Sequence, residues 1–71
     1  MDDVKSRLKE LRARNDWSQT EFAKRAGISR QTVSLIERNE YMPSLLIAMK
    51  IARAFDEPLE DIFIFEEEEL R

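Results

Sequence analysis

The sequence predicts an all-α fold: a compact five-helix domain containing a helix-turn-helix, closed by a short C-terminal β-strand. Three observations predict it. The segments opening at Ser18 and Ser29 carry the same cap-and-staple signature, with Gly27, the only glycine of the chain, between them. Apolar residues recur at helical spacing through most of the chain. The run Ile62-Phe63-Ile64-Phe65 replaces that spacing with β-branched and aromatic residues and no breaker.

The first helix is expected from a cap at Asp2 or Asp3 to about Arg14, with Val4, Leu8 and Leu11 as its apolar stripe. Asn15-Asp16 is a turn pair that tolerates the left-handed conformation. The second helix, about Gln19 to Ala26, buries Phe22, Ala23 and Ala26. Ser18 caps it, Glu21 can complete a capping box, and Trp17 with Phe22 forms a hydrophobic staple. Gly27 then supplies the left-handed residue that stops it. The third helix, about Arg30 to Arg38, repeats the pattern. Ser29 is the cap, Thr32 stands in the third helical position, Ile28 and Val33 form the staple, and Val33 and Ile36 face the core. Asn39 closes it.

After the loop Glu40 to Pro43, Ser44 caps a fourth helix, about Leu45 to Phe55. Leu45, Ala48, Ile51, Ala52 and Phe55 face the core, while Leu46, Ile47 and Met49 widen the apolar stripe beyond what one small core needs. Asp56-Glu57-Pro58 opens a short fifth helix over Leu59 to Ile62. The strand that follows places Phe63 and Phe65 on one face and Ile64 on the other. It needs a pairing partner, either the N-terminus around Asp3 to Lys5 or a second subunit.

Composition narrows the chemistry. The 71 residues support one small core, a size for which oligomerisation is a common remedy. There is no cysteine and no histidine, which removes disulfides, thiolate metal sites and the commonest general base. No carboxylate pair, glycine-rich phosphate loop or nucleophile–base pair suggests an enzyme. No cofactor, metal or small-molecule ligand is expected. No run approaches the ~20 apolar residues of a membrane span, and the N-terminus has no apolar signal region, so the expected compartment is the cytoplasm. The net charge of −3 averages two unlike parts: residues 1–55 carry +4 and residues 56–71 carry −7. The acid therefore gathers at the C-terminal end, where it can point away from a polyanion. The division expected is a domain over 1–65 and an acidic tail over 66–71.

On the third helix, Val33 and Ile36 point one way and Gln31, Leu35 and Arg38 the other, with Ser34 beside them and Arg30 at the exposed first turn. Arginine and glutamine can bond base edges bidentately, and an apolar group can meet a thymine methyl. Leu35 is open to two readings, a methyl contact or the rim of the core. Gln19, at the start of the second helix, is placed to hold a phosphate.

The stretch Leu8–Phe63 resembles the Cro/cI-like helix-turn-helix family, also called XRE-like, of bacterial, archaeal and phage transcriptional regulators. The resemblance rests on Trp-Ser-Gln-Thr-Glu-Phe-Ala at 17–23, Gly-Ile-Ser-Arg-Gln-Thr-Val-Ser-Leu-Ile-Glu-Arg-Asn at 27–39, Pro-Ser-Leu at 43–45 and Pro-Leu-Glu-Asp-Ile-Phe at 58–63. It is closest to compact single-domain members, and it implies a lambda-repressor-like fold with the second and third helices as the reader. It implies base contacts from Arg30, Gln31, Ser34 and Leu35. Gln19 and Ser29 fall at phosphate-facing positions, with Thr32 beside Ser29, and Arg38, Asn39 and Tyr41 lie along the groove edge. It also pairs Arg12 with Glu37 as a structural salt bridge. The chain departs from the family pattern at Asn39, where glycine is common, and at Leu46, where many relatives carry a charge.

The expectation is a sequence-specific repressor that binds double-stranded DNA at a palindromic operator as a homodimer, through an interface of Leu46, Leu59, Ile62, Phe63 and Ile64. The alternative is a protein-interaction module, such as an antitoxin whose acidic tail masks a basic partner.

Overall fold

The structure, a computed structural model, describes residues 5–65. In chain order the elements are β1 (Lys5–Ser6), α1 (Leu8–Arg14), α2 (Gln19–Ala26), α3 (Arg30–Glu37), α4 (Leu45–Phe55), α5 (Leu59–Ile62) and β2 (Phe63–Ile64). Among the described residues there are five helices and a small two-stranded sheet. The expected caps at Asp2 or Asp3, the packing of Val4 and the acidic tail from Glu66 lie outside the described residues.

The first helix begins later than its sequence suggests. Lys5 and Ser6 are extended and pair antiparallel with β2, Lys5 opposite Ile64 and Ser6 opposite Phe63. Arg7 then donates its backbone N–H to the Ile62 carbonyl at 2.7 Å, and α1 starts at Leu8 without a side-chain cap. The reason is tertiary: a lone strand leaves its amides and carbonyls unpaired, and the N-terminal segment satisfies them. Of the two partners expected for the strand, the chain's own N-terminal segment takes the place. The Arg7 side chain braces this junction. Its Nη1 donates to the Asp61 carbonyl at 2.8 Å, and its Nε and Nη2 bond the Glu10 carboxylate. Those bonds, above all, hold the Glu10 carboxyl below its ordinary pKa.

Four helices, α1 to α4, end in the same way. Asp16, Gly27, Asn39 and Asp56 adopt left-handed φ values of 59°, 74°, 58° and 56°. In each case the next residue donates its N–H to the carbonyl five residues back: Trp17 to Arg12, Ile28 to Ala23, Glu40 to Leu35 and Glu57 to Ala52. This closure satisfies carbonyls that a helix end otherwise strands. The first three were expected. At Asp56 the closure comes in addition to the expected opening of the next helix, whose N-cap position Pro58 occupies without a side-chain cap bond.

The core gathers Leu8 and Leu11 of α1, Phe22, Ala23 and Ala26 of α2, Val33 and Ile36 of α3, and Ala48, Ile51, Ala52 and Phe55 of α4. Ile62 and Phe63 close it from the C-terminal side. Trp17, Phe22 and Phe55 form a stack with centroid separations of 4.6 Å for Phe22–Phe55 and 5.6 Å for Trp17–Phe55. The staple residue thus ties the start of α2 to the end of α4, and a fully buried Phe22 replaced by alanine would cost ~3–5 kcal/mol.

Two expectations about apolar residues are corrected here. Leu45 is 73% exposed and does not face the core, because its place in the first turn of α4 lies on the outer side with Leu46 and Met49. Ile62 and Phe63 are buried in this chain's own core, at 0% and 4% exposure, so they are unavailable to a dimer interface. Pairing of β2 with β1 turns Phe63 inward and leaves Ile64 and Phe65 outside.

Candidate nucleic-acid interface

The α2–α3 corner is set by short-range hydrogen bonds. Ser18 Oγ accepts the Glu21 N–H and Ser29 Oγ accepts the Thr32 N–H, both at 3.0 Å. The expected capping box at α2 is only half formed. The Glu21 carboxylate bonds Arg25 at 2.8 Å, one helical turn on, and the Arg25 guanidinium lies 4.6 Å from the Trp17 ring centroid. At α3 the Ser29 and Thr32 hydroxyls are themselves hydrogen-bonded at 2.8 Å, so the cap holds both groups in one orientation. Gly27 makes the corner, and a Cβ added to it would meet nothing within 4 Å. Its backbone conformation alone therefore calls for glycine.

This corner orients α3 so that Val33 and Ile36 are buried while Arg30, Gln31 and Arg38 are exposed. Ser34 and Leu35 are half-buried between these extremes, and Leu35 stands outside the core cluster. Among the described residues, Arg30 and Gln31 have no side-chain partner. Arg38 has a loose one, Glu40, at 3.5 Å. The outward face of α3 thus carries a cation and an amide free to bond, and its only carboxylate, Glu37, is turned away.

Glu37 is held by Arg12 of α1. Arg12 Nε donates to Glu37 Oε2 at 2.8 Å and Nη2 to Oε1 at 3.2 Å, a bidentate pair with the carboxylate side chain 6% exposed. Arg12 Nη1 also donates to the Trp17 carbonyl at 3.0 Å. The pair neutralises the acid at the end of α3 and satisfies its lone pairs, which a carboxylate so withdrawn from water needs.

The residues expected at phosphates lie in several settings. Ser29 and Thr32 sit at the first turn of α3, and Tyr41 is exposed in the loop beyond. Gln19, at the first position of α2, donates its Nε2 to Glu37 Oε1 at 3.0 Å. Asn39 is turned toward the small sheet, its Oδ1 accepting from the Ser6 N–H at 3.3 Å, while Ser6 Oγ lies 3.4 Å from the Ile36 carbonyl. These two links of Gln19 and Asn39 were not anticipated. Nothing local in the sequence signals them, since the partners lie 18 and 33 residues away.

Comparison with known proteins agrees with this geometry. Residues 8–62 match the model of a family described as "Helix-turn-helix". A protein of Archaeoglobus fulgidus called an uncharacterized HTH-type transcriptional regulator is 51% identical over 67 residues, covering 94% of each chain. The uncharacterized HTH-type transcriptional regulator YgzD of Bacillus subtilis is 49% identical over 65 residues, covering 92% of this chain and 98% of its own. Among solved structures, the restriction-modification controller protein C.AhdI of Aeromonas hydrophila superposes with a TM-score of 0.73 at 34% identity, over 78% of this chain and 83% of that one.

Proposed function

Because the chain belongs to this helix-turn-helix family of transcriptional regulators, we propose that it is a repressor that binds a palindromic operator as a homodimer, with α3 in the major groove. It is a regulator with a DNA-binding fold and not an enzyme; repression, the palindrome and the dimer are what the proposal adds. The observation that carries the proposal is the outward face of α3, where Arg30 and Gln31 are exposed and unpartnered among the described residues. Arg30, Gln31 and Ser34 read base edges, and Leu35 meets a thymine methyl. Gln19, Ser29, Thr32, Arg38, Asn39 and Tyr41 fix the register on phosphates. Such a regulator works in the cytoplasm.

Two-fold symmetry would set paired reading helices ~34 Å apart, one turn of the duplex. Exposed apolar residues left over after the core is filled support the dimer: Leu46 at 65% and Ile64 at 49%. Leu59, expected beside them, is half-buried and packs against this chain's own core, so it offers the interface only its outer edge. Leu45 and Met49 extend the same side of α4.

Selection from random duplexes tests the reading. It should return one motif with two inverted halves, and binding should weaken steeply as salt rises, because phosphate contacts release counterions. A motif without inverted halves would remove the dimeric operator. No retention of any duplex at low salt would favour the alternative of a protein-interaction module, for which the −7 of residues 56–71 supplies the motive.

A further inference from the structure

We infer that Glu37 is a positioning residue for phosphate binding: it holds the Gln19 amide in the orientation that presents an N–H to the DNA backbone. The inference rests on the DNA-binding reading above and assigns the Arg12–Glu37 pair a task besides joining α1 to α3.

The geometry is specific. Glu37 Oε1 accepts from two donors, Arg12 Nη2 at 3.2 Å and Gln19 Nε2 at 3.0 Å. Glu37 itself cannot move far, because its other oxygen accepts Arg12 Nε at 2.8 Å and its side chain is 6% exposed. Arg12 is fixed in turn by the carbonyl of Trp17, two residues before Gln19. A single rigid unit therefore spans the start of α2 and the end of α3.

A primary amide carries two N–H donors and one carbonyl, and a free glutamine turns either end to solvent with similar ease. A carboxylate accepts only, so it selects the N–H end. With one N–H on Glu37, the amide plane and its flip are set, and the second N–H remains for a ligand oxygen. The rotamer freedom that glutamine otherwise loses on binding is lost already in the free protein. A phosphate, which also only accepts, then meets a donor and is spared the repelling carbonyl.

Simple electrostatics predicts the opposite sign for one substitution, which makes the inference testable. Glu37→Gln keeps the shape and removes a negative charge, so long-range attraction to a polyanion should rise. Positioning predicts that affinity falls. The measurement is fluorescence anisotropy on a random-sequence duplex at fixed salt for the wild-type chain, Gln19→Ala, Glu37→Gln and the double variant. Circular dichroism establishes a temperature at which all four are folded. Each single variant should bind about tenfold more weakly, the size of one hydrogen bond to a charged acceptor. The double variant should bind no more weakly than Gln19→Ala alone. The inference is overturned if Glu37→Gln binds as tightly as wild type or tighter, or if the two losses multiply in the double variant.

Should Glu37→Gln fail to fold, the wild-type chain provides the second measurement. By NMR, one side-chain amide proton of Gln19 should be protected from solvent exchange in the free protein, and added duplex should shift the other. Two freely exchanging protons would overturn the inference. Failure of the wild-type chain to bind any duplex would instead remove the DNA-binding reading, and this inference with it.

Discussion

Arg12 and Glu37 lie 25 residues apart in the chain and meet in a bidentate ion pair, at 2.8 and 3.2 Å, beneath the helix that faces outward. Removing one member leaves the other charge poorly solvated. Glu37→Ala should therefore destabilise the domain by ~3 kcal/mol in urea unfolding. Replacing both members together, as Arg12→Met with Glu37→Leu, should recover most of that loss, since a paired buried charge contributes little over apolar groups of similar volume. An unchanged midpoint for Glu37→Ala would mean that water solvates Arg12 without its partner.

Gln31 is exposed, so its truncation should leave the fold intact and act on recognition alone. Gln31→Ala should cost ~1–3 kcal/mol on the selected site and relax one base preference. Equal losses on selected and random duplexes, measured by anisotropy, would contradict base reading.

The left-handed helix ends give substitutions of opposite sign. Gly27→Ala meets no atom within 4 Å, so its cost is conformational, about 1 kcal/mol. Asp56→Gly removes a Cβ from φ 56° and should stabilise by up to ~1 kcal/mol. Asn39→Gly should gain less than Asp56→Gly, because it also deletes the bond to the Ser6 N–H. Thermal unfolding of the three variants ranks them directly.

Glu10 provides a pH dependence with a definite sign. Its carboxyl is lowered in the folded state, first by the hydrogen bond from Arg7, relative to an ordinary value of 4.5. The folded state thus binds that proton less readily than the unfolded state. The stabilisation is fully present above pH 4.5 and is lost as pH falls through the lowered pKa. The difference in Tm between wild type and Glu10→Gln should follow that course and close in stronger acid. A gap that persists there would point to a cause other than ionisation.

If the exposed side of α4 and the outer residue of β2 meet a second copy, a charge there should separate the protomers. Leu46→Glu should shift sedimentation toward the monomer and weaken operator binding, with the melting of the isolated domain little changed. A wild-type chain that sediments as a monomer at the concentrations used for binding would dispose of the dimer.

The helices from α2 to α5 could be read from the sequence because their boundaries are local. Ser18, Ser29 and Ser44 each cap a helix with a bond three residues on, and Gly27 and Asn39 stop one by their own backbone preferences. The start of α1 could not, since Lys5 and Ser6 are extended by pairing with residues far away in the chain. Leu45 shares the apolar character of α4, but only the packing of neighbouring helices decides which flank of a broad stripe is covered. Ile62 and Phe63 were expected at a dimer interface; both lie in the core, Phe63 turned inward by the pairing of β2 with β1, which depends on residues far away in the chain. On the candidate site, the outward set on α3 followed from helical spacing. The contact of Gln19 with Glu37 depends on how α2 and α3 pack, which no local pattern encodes.

The pairing of Lys5 with Ile64 has a mechanical consequence. Because the strands are antiparallel, the preceding and following chain leave the ladder at the same end. Tension between the termini would load its hydrogen bonds one after another, as in opening a zip, and not all together in shear. The sheet would part first and at low force, freeing Ser6 from Asn39 while the stacked rings of Trp17, Phe22 and Phe55 still hold the remaining helices.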